Sequence, residues 1–501
     1  MRECGILLPV SSLPSKYGIG CFSKEAYEFV DFLKESNQKK WQILPLGPTG
    51  YGDSPYQSFS TFAGNPYYID LETLIGWGLL TKEECDSYDF GDQEDRIDYE
   101  KMYFARFAIL RVAYERFLSQ NRSDAGIFSG NDEYDQFSLQ NAYWLEDYSL
   151  YMALKNKFGG ISWEQWEKPY RIREYATMQK MREEQRNEID FYKFQQYMFW
   201  KQWNSLHRYA NEHGVEIIGD IPIYVAFDSA DAWANPFLFQ FDADNKPTAV
   251  AGCPPDSFAP QGQLWGNPLY SWEYQKQTHY DWWIQRLAYC FQLYDIVRLD
   301  HFRAFDEYYS IPAEEETAEH GHWEAGPGYD FLRVLKERLG NVRIIAEDLG
   351  FLTDSVRQLV SDSGYPGMKI LQFAFDSREE SDYLPMHYDK NCVVYTGTHD
   401  NDTIAGWYGK LDLKDKAMAL EYMNAYHFKE EEMPMELIRL AMASVSDLCI
   451  IPIQDYLGLG SEARINTPST LGKNWKWRLV PGQITDEVAD VVRKMTKIYG
   501  R

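Results

Sequence analysis

The sequence has few of the features that mark secreted or membrane-spanning proteins. Its 501 residues include seven cysteines, and no two of them have C-x-x-C spacing. This odd and scattered set predicts no disulfide framework and no cysteine-bound metal, so we expect a reducing, cytoplasmic location. No apolar run approaches the roughly 18 residues of a membrane span. The first apolar run, GILLPV at 5–10, is too short and too weakly flanked by positive charge for a signal peptide, and it predicts a strand.

Positive charge is also scarce. Lysine and arginine number 50 against 76 aspartates and glutamates, which gives a formal net charge of −26. Because nucleic acids and anionic membranes repel an acidic surface, we expect neither as a partner. A neutral substrate is compatible with this charge, and so is the alternative that the charge serves solubility alone.

Short, β-branched and almost wholly apolar segments recur along the chain, as expected of parallel strands that are buried on both faces. Eight can be counted, at 5–10, 40–46, 215–225, 295–302, 342–350, 368–375, 392–400 and 448–455. Helical patterns such as SKEAYEFVDFLKES at 23–36 separate most of them. This alternation predicts an α/β fold, a (β/α)₈ TIM barrel.

Two stretches interrupt the alternation. Residues 47–210 contain long helical patterns and predict a mainly helical insertion subdomain after strand two. Residues 226–275 are rich in Pro, Gly, Asn and Trp, and we expect a loop insertion that covers the active face. The whole chain, 1–501, is therefore predicted to be one catalytic barrel domain with these insertions.

Three of the predicted strands run directly into acidic residues, in VRLDHFR at 297–303, IIAEDLG at 344–350 and YTGTHDND at 395–402. The carboxyl ends of barrel strands share one face, so these acids predict a single site. Arg298 and Asp300 lie two residues apart and point the same way on a strand, which would hold Asp300 ionised as a nucleophile requires. The alternative is a purely structural ion pair.

The other acid-tipped strands contain adjacent acids, Glu347 with Asp348 and Asp400 close to Asp402. Neighbouring carboxylates raise one another's pKa, which suits a general acid. Paired carboxylates together with many aromatic residues are typical of glycoside chemistry. For any single tryptophan, the alternative is a place in the core.

Long motifs in this sequence resemble the 4-α-glucanotransferases, also called amylomaltases or disproportionating enzymes, of the α-amylase superclan. The resemblance covers nearly the whole chain and follows the family's order. The motifs are ILLPVSSLPSKYGIG (6–20), GPTGYGDSPYQSFSTFAGNPYYIDL (47–71), GDIPIYVAFDSADAW (219–233), PPDSFAPQGQLWGNPLYSW (254–272), VRLDHFRAF (297–305), IIAEDLG (344–350), YTGTHDNDT (395–403) and IQDYLGLGSEARINTP (453–468).

The resemblance implies a retaining transfer between α-1,4-glucans, with maltooligosaccharides as substrates and no obligatory cofactor or metal. It implies Asp300 as nucleophile, Glu347 as general acid and base, and Asp400 as the carboxylate that stabilises the transition state. The implied substrate-binding residues are Arg298, which supports Asp300, then His399, Tyr56 and Asp220 at the cleavage subsite, Asp376 and Asn466 as further contacts, and Trp265 and Asn267 in the mobile loop motif PPDSFAPQGQLWGNP.

Two rival functions remain open at this point. A hydrolytic α-glucanase of the same superclan would have the same three carboxylates. A glucan-binding protein could have the barrel without activity, although the intact acids argue against it.

Overall fold

The computed structural model describes residues 2–50, 52–121, 132–255, 259–350, 352–378 and 380–501. Within these residues, eight parallel strands form one sheet that closes into a barrel. Numbering all strands in chain order, they are β1 (Glu3–Leu7), β2 (Lys40–Gln42), β3 (Glu216–Ile221), β6 (Ile296–Leu299), β9 (Ile344–Ala346), β10 (Gly367–Ile370), β11 (Cys392–Tyr395) and β12 (Leu448–Pro452). Each overlaps one of the eight predicted segments, and the predicted (β/α)₈ barrel is confirmed.

The strand order in this sheet is β10-β11-β12-β1-β2-β3-β6-β9. Its two end strands meet through a backbone hydrogen bond from the Ala346 amide to the Pro366 carbonyl, at 3.0 Å. Strand side chains such as Ile6, Val297 and Ile450 are fully buried. The strands therefore lie inside a continuous core, as their apolar sequences predict.

Helices surround the barrel. The α-helices are Lys24–Glu35, Leu71–Gly76, Lys82–Asp86, Tyr99–Gln120, Asp132–Gln140, Ala142–Lys157, Lys168–Arg171, Tyr175–Glu184, Arg186–Glu212, Ala230–Ala234, Trp272–Gln277, Asp281–Leu293, Gly328–Leu339, Asp354–Ser363, Ile404–Lys410, Leu413–Met423, Met433–Ala443, Ile453–Tyr456 and Asp486–Tyr499. In the described part of the chain, none of them is long and apolar enough to cross a membrane.

The helix that follows β9 shows how the sequence sets its bounds. Its N-cap is Thr353, whose side chain accepts a hydrogen bond from the Val356 amide. Its C-cap is Gly364, in the left-handed conformation that glycine adopts without a steric penalty. These caps fix where the chain leaves and rejoins the barrel between β9 and β10.

A second sheet lies outside the barrel and was not predicted. It is antiparallel, with the order β5-β4-β7-β8, and its strands are β4 (Ala249–Cys253), β5 (Gln263–Pro268), β7 (Glu307–Pro312) and β8 (His322–Ala325). Strands β4 and β5 belong to the stretch 226–275 that was read as irregular. Glycine interrupts both segments, AVAGC and QLWGNP, and the second also ends in proline, which obscures strand alternation in the sequence.

Candidate active site

The carboxyl end of the barrel opens into a cleft with a volume of about 710 Å³. Because all eight strands are parallel, the residues that follow them meet at this end. Eight of the residues that line the cleft matter most here: Tyr56, Trp265, Asn267, Asp300, His301, His399, Asp400 and Asn466. Seven of these eight were predicted from the sequence, and His301 was not.

Arg298 links two carboxylates beneath the cleft. Its Nη1 donates to both carboxylate oxygens of Asp220 at 2.8 Å, and its Nη2 lies 3.0 Å from Asp300 Oδ1. Asp220 and Arg298 are direct partners in the register of β3 and β6, which explains why their side chains meet. The Tyr56 hydroxyl donates to Asp220 Oδ2 at 2.7 Å. Arg298 therefore makes a structural ion pair with Asp220 and also contacts Asp300.

The pKa of Asp300 departs strongly from that of an ordinary aspartate. Burial raises it to about 7, Arg298 acts in the opposite direction, and the charges of Glu347, Asp220 and Asp400 raise it further. The pKa of Glu347 is raised as well, again mainly by burial. The expectation that Arg298 would hold Asp300 ionised is therefore wrong in its net effect, because burial outweighs the neighbouring guanidinium.

Glu347 is oriented by two backbone amides. The His301 amide donates to its Oε2 at 2.7 Å and the Leu349 amide to its Oε1 at 2.9 Å. Burial raises the pKa of Glu347, whereas Arg298 and these two amides lower it. The His301 amide reaches this carboxyl from a left-handed backbone conformation, with φ at 54°. Burial thus favours the protonated form of Glu347, while Arg298 and the two amides favour its ionised form. The two amides also fix the orientation of its carboxyl group.

Asp400 is held from the loop that follows β12. Asn466 Nδ2 donates to its Oδ1 at 2.6 Å, and the guanidinium of Arg464 donates to its main-chain oxygen at 2.6 Å. His399 Nε2 lies 3.4 Å from Asp400 Oδ2, and the His399 ring stacks on Tyr56 with centroids 5.1 Å apart. These contacts fix the third carboxylate on the wall of the cleft.

Comparison with known proteins assigns this barrel to a family. The model of the 4-alpha-glucanotransferase family matches residues 8–483. The chain belongs to the 4-alpha-glucanotransferase family. A 4-alpha-glucanotransferase of Clostridium butyricum is 47% identical over 98% of this chain and 99% of its own. One from Thermus thermophilus is 44% identical over 100% of this chain and 99% of its own.

A solved structure supports the same assignment. The amylomaltase from Streptococcus agalactiae in complex with acarbose superposes with a TM-score of 0.95 at 39% identity, and all of both chains is covered. The fold of this 4-alpha-glucanotransferase family member therefore agrees with that of a relative over the whole length.

Two of the predicted substrate contacts have protein partners in the structure. The carboxylate of Asp220 is fully buried, and it accepts the hydrogen bonds from Arg298 and Tyr56 described above. Asn267 Nδ2 donates to the Val225 carbonyl at 2.8 Å. Both side chains therefore stabilise the protein around the cleft.

Of two other predicted substrate contacts, Trp265 lies on the cleft and Asp376 lies away from it. The Trp265 ring packs edge-on against His301, with centroids 4.9 Å apart, on the cleft wall. Asp376 does not line the cleft, and its carboxylate accepts hydrogen bonds from the side chain and the amide of Arg378. The side chain of Arg378 is the main cause that lowers the pKa of Asp376 to about 2.

The predicted covering loop is described only in part. Residues 256–258, in the middle of PPDSFAPQGQLWGNP, lie outside the described residues. On one side of them the chain leaves β4 at Cys253, and on the other the Gly262 amide donates to the Ala259 carbonyl at 2.8 Å before β5 begins.

Sequence reasoning missed two residues, His301 and Arg464. Burial lowers the pKa of His301 to about 3, so the imidazole that lines the cleft is neutral. Both residues belong to motifs that had been singled out, LDHF and ARINTP, and a polar residue next to a predicted catalytic or binding residue was the available signal. Among the described residues, no group of three or more His, Cys, Asp or Glu side chains is arranged to hold a metal ion.

Proposed function

We propose that the protein is a 4-α-glucanotransferase that moves a segment of an α-1,4-glucan to the 4-hydroxyl of an acceptor glucan or glucose by a retaining double displacement. The observation that supports this most is the contact between Arg298 and Asp300, at 3.0 Å. Asp300 and Asp400 line the cleft, and the amide of the cleft residue His301 holds Glu347 beside it. This arrangement provides one carboxyl beside a guanidinium, a second carboxyl oriented by two backbone amides, and a third acid close to Asp300, and the pKa of each of the first two is raised.

In the first step, Asp300 attacks the anomeric carbon of the donor while Glu347 gives its proton to the departing glycosidic oxygen. The C–O bond breaks, and a β-glucosyl ester of Asp300 forms. Arg298 lowers the pKa of both acids, and an attack by Asp300 as a carboxylate requires that Glu347 carry the proton. Asp400, fixed by Asn466, would stabilise the positive charge that develops on the sugar ring.

In the second step, Glu347 as carboxylate takes the proton from the 4-hydroxyl of an acceptor, whose oxygen attacks the glucosyl ester. The amides of His301 and Leu349 stabilise this ionised form of Glu347. An α-1,4 bond is remade and Asp300 is released. Trp265 is proposed as the acceptor-side platform that favours a sugar over water at this step, because it lines the cleft against His301.

The proposed substrates are maltooligosaccharides and other α-1,4-glucans. The relatives named 4-alpha-glucanotransferase and the amylomaltase complex with acarbose support this substrate class. We further propose a cytoplasmic location, which the seven scattered cysteines without C-x-x-C spacing favour.

The chain organisation is also a proposal, with 1–501 as a single catalytic domain, 47–210 as a helical insertion subdomain and 226–275 as an active-site insertion. The first insertion packs on the barrel. Trp203 of the helix Arg186–Glu212 lies 5.2 Å from Phe22, measured between ring centroids, and its Nε1 donates to the Leu293 carbonyl at 3.1 Å. A shared core of this kind supports one folding unit.

Incubation with maltotriose as the sole sugar tests the function. Transfer gives glucose together with maltooligosaccharides longer than maltotriose, and this is the expected result. Maltose and glucose without longer products would identify a hydrolase, and an unchanged substrate would identify a binding protein.

The variant Asp300→Asn tests the assigned nucleophile. It is expected to bind maltotriose but to lose roughly a thousandfold or more in kcat, because the amide cannot form the glucosyl ester. Asp295→Asn is the matched control, since Asp295 lies just before the opposite end of the same strand, β6. A loss of only a few-fold for Asp300→Asn would remove Asp300 from the nucleophile role.

A further inference from the structure

The seam where the barrel closes, between β9 and β10, contains an unusual contact. Besides the backbone bond from Ala346 to Pro366, the seam contains a contact made by the Met368 amide of β10. This amide donates at 2.7 Å to the side-chain Oδ1 of Asp348. A carboxylate thus occupies the place of a backbone acceptor at the end of the seam that carries the active site.

The neighbouring glycine is fitted to this carboxylate. A Cβ on Gly367 would lie 2.3 Å from Asp348 Oδ2, much closer than side-chain atoms approach. Glycine therefore leaves the space into which the carboxylate of Asp348 packs. The close fit indicates that the position of this side chain is determined by β10.

The residue before Asp348 is Glu347, whose backbone is bonded on the other side of the seam. The Glu347 amide donates to the Leu299 carbonyl at 3.0 Å, and the Phe302 amide donates to the Glu347 carbonyl at 3.0 Å. These bonds attach Glu347 to the segment that begins with β6. Asp348 supplies the attachment to β10, so the backbone that carries the Leu349 amide is held from two strands.

We propose that Asp348 is a positioning residue that closes the seam between β9 and β10 and thereby fixes Glu347 and the Leu349 amide that orients it. This inference rests on the proposed role of Glu347 as general acid and base. A displacement of the Leu349 amide would remove one of the two donors that hold the Glu347 carboxyl.

The charge of Asp348 adds a second effect, because it raises the pKa of Glu347. The other ionisable groups that act on Glu347 are Arg298, Asp300 and Tyr383. Those that act on Asp348 are Lys369, Arg357, Tyr383 and Cys392. Burial raises the pKa of Asp348 itself, and Lys369 and Arg357 lower it.

Two substitutions distinguish the effect of the contact that Asp348 makes from the effect of its charge. Asp348→Asn retains an acceptor for the Met368 amide and removes the charge. The pKa of Glu347 should fall, so the high-pH limb of the kcat/KM profile should move to lower pH, with kcat at the optimum within about threefold of the parent. Asp348→Ala removes the contact, and kcat should fall about tenfold or more while KM for maltotriose changes by less than about twofold.

Asp295 offers a matched control at the amino end of the barrel. Its Oδ2 accepts the Ile217 amide of β3 at 2.7 Å, which is the same kind of contact between neighbouring strands. Asp295→Asn and Asp295→Ala should lower Tm without moving the pH profile or kcat. All variants are made in the full-length protein, and Tm is measured for each.

The outcomes are distinct. If Asp348→Ala behaves like Asp295→Ala, with a lower Tm and an unchanged kcat, the contact is structural only and the positioning role is overturned. An unmoved profile in Asp348→Asn overturns the charge effect. Glu347→Gln tests the proposed function separately, because a variant with parental kcat would remove Glu347 from the reaction whatever the Asp348 variants do.

Discussion

Replacing Arg298 by lysine retains a positive charge but removes the planar group that contacts two carboxylates at once. Arg298 is 3% exposed, and its two terminal nitrogens serve Asp220 and Asp300 separately. A lysine ammonium at the end of a flexible chain cannot reproduce this geometry. Since Asp220 is fully buried, we expect the ammonium to remain with it, so the contact to Asp300 is lost.

The size of the effect follows from the lost contact. A hydrogen bond to a charged group contributes about 1.5–3 kcal/mol. At about 1.4 kcal/mol for each tenfold change in rate, kcat/KM should fall about 10- to 150-fold. Arg298 lowers the pKa of Asp300, so its loss raises that pKa further. Because the nucleophile must be ionised, activity should be lost most at low pH and the acid limb of the profile should move to higher pH.

The assay is glucose release from maltotriose as a function of pH, with Tm measured in parallel. Arg106→Lys is the control, because Arg106 is also buried but donates to the Ile69 carbonyl in the region between β2 and β3. It should cost stability without changing the pH profile. An Arg298→Lys enzyme within about threefold of the parent across the whole pH range would refute the role given to Arg298.

Two further predictions concern residues bonded to the segment 396–404, which carries Asp400. Asn466→Ala removes the 2.6 Å hydrogen bond to Asp400, so kcat should fall about tenfold or more by the same arithmetic, and steady-state kinetics within twofold of the parent would contradict it. Asp455 is buried and accepts hydrogen bonds from Thr396 and the Ile404 amide, and burial raises its pKa to about 6. A folded-state pKa above the usual 3.8 means that stability is greatest at low pH and is lost as pH rises from about 4 to 6. Asp455→Asn should therefore raise Tm at pH 8, by the equivalent of about 1–3 kcal/mol, but not at pH 4.

The barrel was predictable because its strands are buried on both faces and so have short, continuous apolar sequences. The predicted carboxyl ends of the strands lie several residues beyond the observed ones. The predicted segment 392–400 ends as a strand at Tyr395, since the chain turns there to present His399 and Asp400. The outer sheet was missed because Gly252 and Gly266 interrupt its strands, and its partners are determined by the tertiary fold.

The site was only partly predictable from the residues. Two-residue alternation correctly placed Arg298 on the same side as Asp300. The partnership of Arg298 with Asp220 depends on the register of β3 against β6, which the sequence does not state. The same holds for the contact between Asp348 and Met368, because it exists only where the two ends of the sheet meet.

The balance of charge in the cleft connects the fold to the proposed reaction. The carboxyls of Asp220, Asp300 and Glu347 act on the guanidinium of Arg298, and Asp400 acts on Asp300. Because Asp220 is fully buried and bonded to both the arginine and Tyr56, it takes up much of that positive charge. Burial is the main cause of the raised pKa of both Asp300 and Glu347, and the charges of Glu347, Asp220 and Asp400 raise the pKa of Asp300 further. Asp220 would therefore contribute to the reaction through the charge balance of the site, because its negative charge raises the pKa of Asp300.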